Sequence, residues 1–249
     1  MIVVKTDGEL KIMREANRII AVVLTEIGPR IKAGVSTHDL DIWAEEKILS
    51  MNAEPGFKGY RGFPATLCTS INDEVVHGIP SKERLLQEGD IIGVDVGCVY
   101  QGFYGDGAYT YAVGAIAENT RHLLDTCEKS LHEGIKMANQ GNRISDISVA
   151  IDRCVRSQGY EIVRDLTGHG IGRLLHEEPQ VLNFDTGVKG SKLKTNMTLA
   201  IEPMITNGTF EVKTLEDNWT VVTADGSLSA HFEHTIAITE NGPEILTRL

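Results

Sequence analysis

The sequence predicts an α+β fold in which antiparallel strands are covered by helices and two related α/β halves pack into one domain. Three observations predict it. The order long helix, glycine, short helix, strands occurs twice, and sliding the chain by 107 residues aligns Gly34 with Gly141, Asp39 with Asp146, Leu40 with Ile147 and Ile42 with Val149. Apolar residues keep helical spacing in four segments and short strand-like runs elsewhere. Two apolar runs, each interrupted by one aspartate, flank Tyr100-Gln101-Gly102 and read as a hairpin. No linker separates the halves, about 1–115 and 116–249, so 1–249 is read as a single domain.

The elements follow in order. Thr6-Asp7-Gly8-Glu9 has the form of a capping box, and Leu10, Met13, Ala16, Ile20, Val23, Leu24 and Ile27 continue it as an amphipathic helix. Gly28-Pro29 interrupts the pattern and Gly34 closes the segment. Ser36 or Thr37 caps a second helix that carries Leu40, Trp43, Ala44, Ile48 and Met51 on one face. Residues Glu54 to Pro64 hold two prolines and three glycines between them and read as a long loop. Thr66–Ser70 and Val75–Val76 read as short strands, and the hairpin extends through Tyr111 and Val113 to Gly114. In the second half Leu123, Leu124, Cys127, Leu131, Ile135 and Ala138 form a helical stripe, and Ser145 to Gln158 forms another helix. Strands are expected over Tyr160–Asp165, Thr198–Ile205, Thr220–Thr223 and His231–Thr239.

Composition excludes several classes of function. A formal net charge of −11 disfavours a broad footprint for nucleic-acid phosphates or an anionic membrane surface. The four cysteines, Cys68, Cys98, Cys127 and Cys154, are widely spaced with no CxxC pair, which argues against a disulfide framework or a zinc knuckle. No run approaches the roughly 20 apolar residues of a membrane span, and the N-terminus lacks a signal-peptide core. A cytoplasmic location is expected.

The chemistry-bearing residues lie on the strand-like segments. Asp95 sits in Ile91–Val96 and Asp106 in Phe103–Tyr109, where ionised carboxylates need a partner or a metal. A two-residue turn at Tyr100-Gln101 places Asp95 opposite Asp106, with Cβ atoms about 5 Å apart; a bulge at Gly102 makes the pair diagonal and still close. Two like charges there call for a cation. Glu202 in Leu199–Ile205 and Glu233 in His231–Ile238 are likewise carboxylates within apolar strands. Gly168-His169-Gly170 exposes His169 on tight backbone; it lacks the third glycine of a dinucleotide loop. Four carboxylates and one imidazole suit Mn, Fe or Co, and their charge balances two divalent cations, which clamp and activate water for hydrolysis. His77, in a turn before Pro80, and His176 are further candidates.

The motifs SINDEVVHGIP (Ser70–Pro80), Val94–Asp106, TGHGIGRLLHEEP (Thr167–Pro179), AIEPM (Ala200–Met204) and EHT (Glu233–Thr235) resemble those of bacterial type I methionine aminopeptidases, of the fold called pita-bread. The resemblance covers essentially the whole chain and reads it as one catalytic domain. It implies two divalent metal ions, Co, Mn or Fe, with Zn tolerated, held by Asp95, Asp106, His169, Glu202 and Glu233. It implies that His77 contacts the leaving-group side of the peptide, that His176 stabilises the oxyanion, and that Glu202 shuttles a proton. The methionine pocket maps onto Phe57, Tyr60, Phe63, Cys68 and Trp219. Expected substrates are methionyl peptides and nascent chains with a small second residue, met by a monomer in the cytoplasm, free or at the ribosome. Gly107 and Leu175 depart from the family pattern, which has a hydroxyl and an aromatic residue there. The competing expectations are an Xaa-Pro peptidase of the same fold and a metal-free binding module.

Overall fold

A computed structural model describes residues 2–248. Helix α1 (Asp7–Ile27) starts at the capping box, with Thr6 accepting from the Glu9 amide and Glu9 reaching back to the Thr6 amide. A short 3₁₀ turn at Gly28–Arg30 breaks it, and α2 (Thr37–Ser50) begins at Ser36, whose hydroxyl accepts from the Asp39 amide. The expected long loop is partly ordered pairing: β1 (Glu54–Pro55) lies on β4 (Ile91–Tyr100), and Tyr60–Gly62 forms a 3₁₀ turn. Strands β2 (Leu67–Ile71) and β3 (Glu74–Val76) follow, then the hairpin of β4 with β5 (Phe103–Ala112). Strand β4 takes β5 along one edge and β2 and β1 along the other, all antiparallel.

The second half opens with α3 (Glu118–Lys136) and α4 (Ile144–Ser157). The remaining strands are β6 (Glu161–Ile162), β7 (Gly168–Gly170), β8 (Glu177–Val181), β9 (Thr198–Ile201), β10 (Met204–Thr206), β11 (Val212–Thr214), β12 (Val221–Thr223), β13 (Ser229–His231), β14 (His234–Thr239) and β15 (Gly242–Ile245). A five-stranded sheet has the order β15-β14-β9-β7-β8, and two three-stranded ribbons have the orders β13-β10-β6 and β11-β12-β3. Two expected strands are each broken in the middle. Thr198–Ile205 divides into β9 and β10 at Glu202-Pro203, and His231–Thr239 divides between β13 and β14 at Phe232-Glu233. The proline has no amide to give a ladder, so the first break is built into the sequence. The chain changes sheet at both breaks.

Each pair of helices covers its own strands. Ile19, Ile20, Val23, Leu40, Ala44 and Ile48 of α1 and α2 pack with Leu67, Ile92, Val94 and Val96. Leu123, Leu131, Ile147 and Ile151 of α3 and α4 pack with Leu199, Ile201, Ile205 and Ile236. Helix α1 approaches β5 closely because residue 105 is glycine: a Cβ there would lie 2.8 Å from the Ala16 carbonyl carbon. The halves meet where Glu233 donates its amide to Ala108 O at 2.9 Å and Thr110 Oγ1 donates to His231 O at 2.6 Å. Among the described residues no helix is long and apolar enough to cross a membrane.

Candidate metal centre

The hairpin turn fixes the first two acids. It is formed by Gln101 and Gly102, both at positive φ (48° and 76°), as a type I′ turn requires. This corrects the expected turn by one residue. Asp95 therefore opposes Ala108 and Asp106 opposes Gly97, so the two aspartates are diagonal neighbours on one face, with no bulge needed. Asp106 is held further by its amide, which donates to Asn17 Oδ1 at 3.2 Å; the Asn17 amide group in turn donates to Met13 O within α1. Asp95 Oδ1 and Asp106 Oδ1 are buried and have no hydrogen-bond partner among the described residues.

His169 lies on β7, in the five-stranded sheet between β9 and β8. Its Nδ1–H donates to Gly170 O at 2.9 Å, because a carbonyl can only accept. That leaves Nε2 as a lone-pair donor aimed at the acids. Nε2 is 3.4 Å from Glu202 Oε1 and 3.8 Å from Asp106 Oδ2. Ligand atoms of Asp106, His169 and Glu233 all lie within 4.8 Å of one another. Glu202 and Glu233 occupy the two breaks in the ladder. There the Glu202 carbonyl accepts from Asn183 Nδ2 at 3.1 Å, and Thr235 Oγ1 donates to Asp106 O at 2.8 Å. Glu233 Oε1 is a third buried carboxylate oxygen without a partner among the described residues.

These acids share an electrostatic problem. Burial raises the Asp95 carboxyl to about 7. Burial and then neighbouring carboxylates push Asp106, Glu202 and Glu233 well above the ordinary range. Burial, followed by the repulsion of His176, pulls His169 down to about 4, so its imidazole is neutral at pH 7. Divalent cations bound among these groups would favour the ionised carboxylates and use the free imidazole lone pair. Unpartnered carboxylate oxygens and a pre-set Nε2 are the donor set that such ions require, and the residues fit the group.

The five residues line a pocket of about 230 Å³ together with Phe57, Tyr60, Phe63, Cys68, His77, His176 and Trp219. Every candidate ligand, catalytic and pocket residue named from the sequence is thus brought to one cavity. Cys68 stands opposite Asp95 in the β2–β4 register, and its thiol is pushed well up by burial and then by the Asp95 charge. Phe63 meets Trp219 edge to face at 5.1 Å. His77 sits at φ 61°, a conformation that side-chain-bearing residues rarely adopt, and burial pulls its ring down to about 4. His176 lies against His169, ring centroids 4.4 Å apart, and burial and then Arg61 pull its imidazole below the usual range. Leu175 also lines the pocket, whereas Gly107 packs on α1, where a Cβ would lie 3.1 Å from Ile20 Cγ2.

Two residues near the acids escaped the sequence reading. Arg61 lines the pocket at φ 50°; its only sequence signal is its place beside Tyr60 in a glycine-flanked turn. His231 is buried, with Nε2 3.8 Å from Glu202 Oε2 and no hydrogen-bond partner among the described residues. It lies two residues before Glu233, which marked it only as strand.

Comparison with known proteins adds to this geometry. The model of metallopeptidase family M24 matches residues 11–240. Over 247 residues the chain is 52% identical to the methionine aminopeptidase of Clostridium acetobutylicum, covering 99% of both chains. It is 51% identical to methionine aminopeptidase 1 of Bacillus subtilis over the full length of both. The crystal structure of methionine aminopeptidase from Thermotoga maritima superposes with a TM-score of 0.98 at 47% identity, with all of both chains covered. A prolidase from Pyrococcus furiosus shares the fold (TM-score 0.80, 22% identity), and the match covers only 66% of that longer chain.

Proposed function

The chain belongs to metallopeptidase family M24 and is a metal-dependent hydrolase that removes N-terminal methionine; from that premise we propose which residues carry each part of the reaction. The metal ligands are Asp95, Asp106, His169, Glu202 and Glu233. What supports this reading most is a single observation: three buried carboxylate oxygens without partners and one free imidazole nitrogen share a pocket. Four carboxylates match the charge of two divalent ions, and an oxygen-rich set with one imidazole suits Mn, Fe or Co, with Zn tolerated. Bound ions supply positive charge that polarises the scissile carbonyl and makes water nucleophilic at neutral pH.

The protein's own groups do the rest. The methionine side chain fills the space between Phe57, Tyr60, Phe63, Cys68 and Trp219, where a flexible thioether meets aromatic rings and a sulfur. The α-amino end reaches toward the acids. Glu202 takes the proton from the attacking water and passes it to the leaving amine, a task for a carboxylate placed beside the reacting groups. His176 donates a hydrogen bond to the scissile carbonyl as negative charge develops there. His77 touches the leaving-group side, and the tight pocket leaves room for a small second residue. Asp95 and Asp106 come from the first half, about 1–115, and the other three ligands from the second, so the two halves act as one catalytic domain. Four free cysteines, three of them buried, fit a reducing cytoplasm, where a monomer would meet nascent chains, in solution or at the ribosome.

The test is to strip the protein with chelator, titrate it anaerobically with Mn(II), Fe(II) or Co(II), and follow bound metal and hydrolysis of Met-Ala-Ser. Two equivalents bound per chain and recovery of activity are expected. Faster cleavage of an Xaa-Pro peptide than of Met-Ala-Ser would overturn the substrate assignment. Binding of no metal would overturn the ligand set.

A further inference from the structure

We infer that Tyr60 is a positioning residue for the reaction, acting through His176, in addition to forming a wall of the methionine pocket. The Tyr60 hydroxyl lies 2.8 Å from His176 Nδ1, and no other protein partner of that hydroxyl exists among the described residues. The two rings are 5.6 Å apart and tilted by 41°, so they do not stack face to face. The other ring against His176 is that of His169, at 4.4 Å. His176 is therefore held between a proposed metal ligand and one phenol.

A neutral imidazole carries one N–H, and the opposite nitrogen accepts. If Nδ1 donated to the phenol oxygen, the imidazole would turn a bare Nε2 toward a carbonyl oxygen, and two acceptors would face each other. If the phenol donates to Nδ1, the imidazole proton sits on Nε2, which can then donate to the oxyanion. When it donates to Nδ1, the Tyr60 hydroxyl holds His176 in the useful tautomer.

Local structure fixes where that hydroxyl sits. The Tyr60 amide donates to Phe57 O at 2.9 Å, the Phe63 amide donates to Tyr60 O at 2.9 Å, and the Gly59 amide donates to Phe63 O at 2.8 Å. Gly59, Arg61 and Gly62 all take positive φ in this turn. This closed, hydrogen-bonded turn fixes the backbone from which the Tyr60 ring reaches His176.

The inference rests on the oxyanion role proposed for His176, and the experiment separates the two. Tyr60→Phe keeps the ring and deletes the hydroxyl. With Met-Ala-Ser and metal-loaded enzyme, kcat is expected to fall about 10-fold or more, the scale on which an orienting partner acts, while KM stays within about two-fold. In a His176→Ala background, itself expected to lower kcat by about 10², the same substitution should change nothing further, because its route is gone. An unchanged kcat in Tyr60→Phe, a rise in KM alone, or an equal loss in both backgrounds would reduce Tyr60 to a pocket wall. If Tyr60→Phe is silent while His176→Ala is crippled, only the inference falls. If His176→Ala itself keeps near-wild-type turnover, the oxyanion role falls and the inference with it.

Discussion

Asp95, Asp106 and Glu233 each keep a carboxylate oxygen that is buried and unpartnered among the described residues, and Glu202 lies 3.4 Å from the imidazole aimed at them. Removing Glu202 should stop proton transfer without harming the fold, since among the described residues its side chain makes no hydrogen bond to backbone. Glu202→Ala is expected to abolish hydrolysis of Met-Ala-Ser while its circular dichroism matches the parent; turnover near the parent's would refute the assignment. The acids also make a pH prediction for metal-stripped protein. The Asp95 carboxyl moves from an ordinary 3.8 to about 7 in the folded state. A folded value above the unfolded one means a stabilising contribution that is complete at low pH and disappears as pH rises through about 7. The melting temperature in chelator should therefore drop between about pH 4 and pH 7, and Asp95→Asn should flatten that drop. A profile that is the same for Asp95→Asn and its parent would contradict it. Residue identity was the part of the site most legible in the chain, because an acid inside an apolar run must be paired, protonated or bound to a metal. Arg61 and His231 were not legible: Arg61 reaches the pocket through an irregular turn with no periodic pattern, and His231 approaches Glu202 only through long-range folding.

Elements decide where those residues point. The hairpin placed its two aspartates correctly on one face, yet the pairing differed from the sequence expectation by one position in the turn. Hydrophobic alternation tolerates either register here, and only the paired positive φ values of Gln101 and Gly102 choose between them. Glu202 and Glu233 looked like strand residues because their neighbours are strand residues; Pro203 was the one visible sign of a break. Short strands such as β7 and β8 carry too few residues to show a period, and their pairing is set by the sheet around them. A close contact between elements is testable. At Gly105 an added Cβ would lie 2.8 Å from the carbonyl of Ala16, which is helix backbone and cannot swing aside. Gly105→Ala should cost about 1–3 kcal/mol in urea unfolding, the range for overpacking. It should also weaken activity, because α1 carries Asn17 to the Asp106 amide. A stability change below about 0.5 kcal/mol would mean that α1 can retreat at little cost.

At the scale of the molecule, the paired order of helices and the α+β class were readable from periodicity alone, whereas the division into four sheets was not. Strand partners lie far apart in sequence, and no local signal names them. Ion binding should hold the halves together by mass action: a metal at a hundred times its dissociation constant stabilises by about 2.7 kcal/mol if it does not bind the unfolded chain. Thermal midpoints should climb with the logarithm of free Mn(II), and a midpoint indifferent to metal would argue that the five side chains do not converge on a common ion. The same arrangement has a consequence for biogenesis. Of the five proposed ligands, the first two lie on the early hairpin, the third on β7, and the last two at corners that form only when distant ribbons dock. A copy with only the hairpin formed would bring two of the proposed donors together and lack the other three, so metal affinity should rise steeply as the second-half corners close. Tight metal uptake and hydrolysis are then expected to appear together in refolding, once Glu202 and Glu233 reach their corners.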